Sequence, residues 1–110
     1  MAVEKWSEKV TVARLGDDPQ LTEDLQSLSE TVAHTPVDVV LDFEAVHFIN
    51  SSTIARLLKL RKQVVAGECH LVMCNVHTQV WGAFLVTGLD KIFVLSDNVT
   101  TALATLQMAR

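Results

Sequence analysis

Three small polar residues, Asn50, Ser51 and Ser52, stand together between an apolar run and a segment of helical spacing. Their chemistry depends on that position. The first turn of a helix has backbone N–H groups without intrahelical partners. An Asn or Ser placed there accepts a hydrogen bond from one of them. Only one of the three can be the N-cap, so at least one hydroxyl is spare. The same N–H groups, with the helix dipole, favour an anion. Phosphorylation of such a serine would add about −1.5 to −2 charges. Three capping residues in a row, with no further chemistry, is the plainer alternative.

Other reactive side chains form weaker patterns. Cys69, His70, Cys74 and His77 contain metal-ligating types, but Cys69 and Cys74 point to opposite faces of a strand. Their spacing matches no common zinc signature, so they read as strand thiols, with no metal. His47 sits in the loop before Phe48 with no identifiable partner for proton transfer, and reads as a solvent-facing loop histidine. Asp17 and Asp18 fall in a turn, Gly16 to Gln20, where they read as solvated charges. The basic run from Arg56 to Lys62 reads as a solvated helix face rather than an anion site. The chain has no GxSxG, no P-loop and no HExxH, and no enzymatic activity is expected.

The elements that position the serines follow from periodicity. Val37, Val39, Val40 and Leu41, with Asp38 among them, predict a strand covered on both faces. After Val46, Phe48 and Ile49 the period changes to that of a helix running from Ser52 to about Ala66. Its expected inward stripe is Ile54, Leu57, Leu58, Arg61 and Val65. Gly67 is expected to stop it in left-handed conformation. Val10, Val12 and Leu15 predict a half-buried strand, with Val3 to Trp6 as a short partner and Trp6 as a lid over the core. Thr22 is expected to cap a helix carrying Leu21, Leu25, Leu28 and Val32, which ends before Pro36. Glu68 to Cys74 reads as a strand. A helix then starts at His77 or Thr78, buries Val80, Phe84 and Leu85, and ends at Gly88. Ser96-Asp97 is expected to cap a last helix with Val99, Ala102, Leu103 and Leu106 inward. Repeated strand–helix alternation implies right-handed crossovers and an α/β fold. Its mixed, mostly parallel sheet has about four to five strands and about four helices. Partner surfaces in such folds sit at the carboxyl ends of strands, where the Asn50 loop lies.

At 110 residues, with 49% hydrophobic and 20% charged residues, the chain is expected to be one domain, 1–110, with one sizeable core. A net charge of −4 argues against a nucleic-acid surface. Met1 to Trp6 lacks the apolar core of a secretory signal, and no apolar run approaches about 20 residues, so a cytoplasmic protein is expected.

The stretch LDFEAVHFINSSTIARLLKL resembles the STAS domain, the family named for sulfate transporters and anti-sigma-factor antagonists. Leu41-Asp42 matches the family's strand end and Phe48-Ile49 its hydrophobic pair. Asn50-Ser51-Ser52-Thr53 lies on its Asp-Ser-Ser-Gly, with Asn50 in place of the Asp and Thr53 in place of the Gly. Gly16 and Thr22 also align, with Asp17 or Asp18 standing in for an acidic residue of the family. The resemblance implies the STAS fold and a non-catalytic binding module without cofactor. It implies Ser51 as phospho-acceptor, with Ser52 as second choice. It implies a partner face of Asn50, Ser51, Ser52, Thr53, Asp17 and Asp18. The implied partner is an anti-sigma factor with serine kinase activity, and a weak homodimer is possible in the family. The alternative role is an unphosphorylated scaffold subunit of a stress-signalling complex or of a lipid-transport assembly.

Overall fold

Strand β3, Asp38–Ala45, forms because Val39, Val40, Leu41 and Phe43 suit a pleated surface that is covered on both sides. Its residues 38–43 are all buried. In the computed structural model, which describes residues 2–108, this strand is the centre of a five-stranded sheet of order β1-β2-β3-β4-β5. The other strands are β1 Ala2–Lys5, β2 Val10–Gly16, β4 Leu71–Cys74 and β5 Val94–Ser96. β1 runs antiparallel to β2, and the three remaining pairs are parallel. Helices α1 (Gln20–His34), α2 (Ser51–Ala66), α3 (Thr78–Thr87) and α4 (Val99–Met108) follow β2, β3, β4 and β5 in turn. This is the mixed, mostly parallel architecture that the alternation predicts. Residue 1 and residues 109 and 110, the ends of the expected 1–110 unit, lie outside the described residues. Among the described residues, no helix is long and apolar enough to cross a membrane.

Register divides the core in two. It aligns Val12, Val40 and Val72 on one face of the sheet and Ala13, Leu41 and Met73 on the other. The second row meets Leu21, Leu25 and Leu28 of α1, Leu57, Leu60 and Val64 of α2, and Val80 and Phe84 of α3. Among the described residues, the helix covering the first row, with Val10 and Cys74, is α4, through Ala102 and Leu106 with Val99 and Leu103 packed beside them. Thus β2 is not half-buried, as its alternation predicts. Val10 and Val12 face α4, while Ala13 and Leu15 face the other helices. The helix that covers the second face comes from the far end of the chain, so no local pattern announces it.

Several local expectations are corrected. α2 buries Thr53, Leu57, Leu60 and Val64, while Val65 is exposed. Apolar residues cover more than half of its circumference, so their spacing does not fix which arc meets the sheet. α3 buries only Val80 and Phe84, and Leu85 faces solvent. Gly67 has φ −85°, and the left-handed residue is Glu68, φ 61°. A Cβ at Gly67 would lie 3.0 Å from Pro36 Cβ, so close approach explains the glycine. The turn at Glu68 delays β4 to Leu71. Gly88 ends α3 as expected, and does so in left-handed conformation, φ 75°. Trp6 is 49% exposed and belongs to neither core cluster, so it is no lid.

Two caps also differ. α1 begins at Gln20, which puts Thr22 inside its first turn. Asp18 Oδ1 accepts from Thr22 N (3.0 Å) and Thr22 Oγ1 (2.6 Å), so Asp18 is the capping side chain. At α4, Asn98 Oδ1 accepts from Thr101 N at 2.8 Å and takes the role assigned to Ser96-Asp97.

Candidate functional site

The carboxyl ends of β2, β3 and β4 lie side by side and send out three loops. At β3 the loop is anchored by Val46, fully buried, and Ile49, 9% exposed. Phe48 between them is 70% exposed, so the apolar pair seen in sequence splits, one residue inward and one outward. Asn50 then takes extended conformation and caps α2. Its Oδ1 accepts from Thr53 N at 3.0 Å and Thr53 Oγ1 at 3.2 Å, and its carbonyl accepts from Ile54 N at 3.1 Å. With the cap filled by Asn50, the spare hydroxyls belong to Ser51 and Ser52. Both are exposed, and neither hydroxyl makes a hydrogen bond among the described residues. Thr53 is 2% exposed and its hydroxyl is committed to Asn50. It shapes the start of the helix and offers a partner no surface, a correction to its place on the expected partner face.

The acidic turn is tied to this loop. Asp17 Oδ1 accepts from the backbone N–H groups of His47 (2.8 Å) and Phe48 (3.3 Å), and Asp17 Oδ2 meets His47 Nδ1 at 2.9 Å. His47 therefore has the partner that its sequence neighbourhood does not reveal. Its ring stacks on His77, with centroids 5.3 Å apart and planes at 14°. His77 Nε2 donates to the Glu44 carbonyl at 2.7 Å. Asp17, His47 and His77 thus pin all three loops together. The clue available in sequence was weak: three polar residues, each just after a strand, which only the parallel register makes neighbours.

The His47 backbone N–H, then the His47 side chain, hold the Asp17 carboxyl below its ordinary value near 3.8; desolvation opposes them, and the Phe48 N–H adds to them. A carboxyl depressed on folding contributes stability that is present above its unfolded value and lost as pH falls through its folded value. We expect Asp17→Asn to lower the urea midpoint at pH 6, with the difference from wild type closing as pH falls below about 3.8. A difference that persists unchanged at pH 2.5 would mean that the charge on Asp17 does not support the loop.

Asp42, 5% exposed, closes the same region from below. It accepts from Glu44 N and from Asn75 Nδ2, each at 3.0 Å, and lies 3.9 Å from Arg14 Nε. Burial, then the Asp42 charge, push the Cys74 thiol up to about 12, so it is held as an inert thiol. Cys69 packs against the three-helix core and Cys74 lies in the opposite one. Among the described residues, no group of three or more His, Cys, Asp or Glu could hold a metal ion.

Solved structures share this fold. An anti-sigma-factor antagonist domain protein from Planctomyces limnophilus superposes with a TM-score of 0.83 at 19% identity, over 96% of this chain and 97% of that one. The unphosphorylated anti-sigma factor antagonist SpoIIAA gives 0.81 at 17% identity, over 96% and 95%. RsbS from Moorella thermoacetica gives 0.83 at 14%, over 98% and 95%. No curated protein matches the chain by sequence. The model of the STAS domain matches residues 2–102, and the chain belongs to that family.

Proposed function

We propose that this domain is a non-catalytic regulatory module of the anti-sigma-factor-antagonist type. Its unmodified serine face docks on an anti-sigma factor with serine kinase activity in the cytoplasm, and phosphorylation of Ser51 ends the docking. The supporting observation is the exposed, unengaged hydroxyl of Ser51 at the first position of α2, directly after a cap satisfied by Asn50. Ser52 is the second candidate. A phosphate at either position would sit at the favourable end of the helix and would oppose docking by charge and bulk. Asn50, Ser51, Ser52 and Asp18 form the accessible face, and Asp17 fixes its loop. Among proteins of this fold, SpoIIAA from Bacillus has a structure in the phosphorylated form.

A second reading keeps the docking and drops the switch: a scaffold within a stress-signalling complex. The amide of Asn50 in the place of the family's carboxylate favours it, as does the likeness to a chain of the stressosome, a signal integration and transduction hub. The two readings part in one assay. The domain is incubated with the kinase and ATP, and its phosphopeptides are mapped. A single phosphate on Ser51 is expected. A stable complex with no phosphate at Ser51 or Ser52 would favour the scaffold, and absence of both binding and modification would sink the first reading.

A further inference from the structure

Helix α2 concentrates the positive charge of the chain. It carries four cations, Arg56, Lys59, Arg61 and Lys62, and no carboxylate. The net charge of the whole chain is −4, so everything outside α2 amounts to −8. Arg61 is half-buried, and its Nε donates to the Ile92 carbonyl at 2.9 Å. The other three are exposed, and among the described residues none forms an ion pair with a carboxylate. α2 buries Thr53, Leu57, Leu60 and Val64, which places the free cations on its open side. At helical spacing, Ser51, Ala55, Lys59 and Lys62 make one ridge, and Ser52 and Arg56 stand beside it. The candidate phospho-acceptor is thus the head of a cationic ridge.

We infer that the open side of α2 is a docking surface for the acidic face of a partner protein. Unpaired like charges held about one turn apart repel each other, and an opposed partner relieves that repulsion while steering encounter. Charge complementarity selects the occupant. A nucleic acid would require a wider basic field than three free cations on a chain of net charge −4. For the partner's identity the inference rests on the proposed kinase. It also gives the switch a physical lever. A phosphate of about −2 on Ser51 lowers the net charge of α2 from +4 to about +2, at the end of the ridge nearest the interface.

The test compares wild type with Lys59→Glu/Lys62→Glu, both substitutions on exposed positions, by titration against the kinase at about 50 and about 300 mM NaCl. The reversed variant is expected to bind at least tenfold more weakly at low salt, with the gap narrowing at high salt, and Lys59→Gln/Lys62→Gln to fall between. Equal affinities for wild type and both variants, all folded by circular dichroism, would overturn the inference and leave the proposed function standing. If wild type fails to bind the kinase, the proposed partner fails, and poly-L-glutamate decides the inference by itself. Retention of wild type but not of the reversed variant supports it. No retention, or tighter binding to a short DNA duplex or to phosphatidylserine vesicles, overturns it.

Discussion

Ser51→Asp is expected to weaken binding to the kinase partner at least tenfold, about 1.4 kcal/mol, while unfolding free energy stays within about 1 kcal/mol of wild type. The separation of the two effects follows from the site. Ser51 is exposed and its hydroxyl holds nothing in place, so its replacement breaks no internal bond. An acidic side chain in the first turn of a helix is stabilised by the dipole, by about 0.3 to 1 kcal/mol at most, which favours the folded state. The carboxylate nevertheless sets a negative charge where the unmodified domain presents a small neutral hydroxyl. Titration calorimetry with wild type, Ser51→Asp and Ser51→Ala, beside urea unfolding of each, checks this. Ser51→Ala should dock like wild type. Equal binding by Ser51→Asp would remove the switch.

Phe84→Ala is expected to cost about 3–5 kcal/mol of stability, a large share of the roughly 5–15 kcal/mol available to a domain. Phe84 is fully buried. Its ring stacks on Trp81 at 5.2 Å and meets Phe93 edge-on at 5.4 Å. Val80 and Phe84 are the fully buried residues of α3, with Trp81 and Ala83 packed beside them, so truncation loosens the helix as well as opening a cavity. Urea unfolding followed by circular dichroism reads the loss. Leu85→Ala, one residue on but 54% exposed, should stay within about 0.5 kcal/mol. A cost below 1 kcal/mol for Phe84→Ala would mean that α3 is not anchored as described.

What the sequence revealed depended on whether the signal was local. The junction at Asn50 was legible because the apolar period changes there and the residues at the change are capping types. The choice of cap among neighbours was harder. Asn98 takes α4 because β5 runs through Ser96, and Asp18 takes α1 because that helix starts before Thr22. The Asp17–His47 pair was invisible, since the two stand 30 residues apart and meet only because Gly16 of β2 pairs with Ala45 of β3. The outward turn of Phe48 was equally hidden. Three apolar residues within four positions of a loop carry no period, and the shape of the core decides which two enter it.

The unequal covering of the sheet has a consequence for how the molecule comes apart. Among the described residues, three helices guard one face, whereas one ten-residue helix guards the other. If that helix lifts away, Val12, Val40 and Val72 become a wet, sticky strip while the opposite core stays shut. Such a partial opening requires far less than complete unfolding, and it is the state from which clumping would begin.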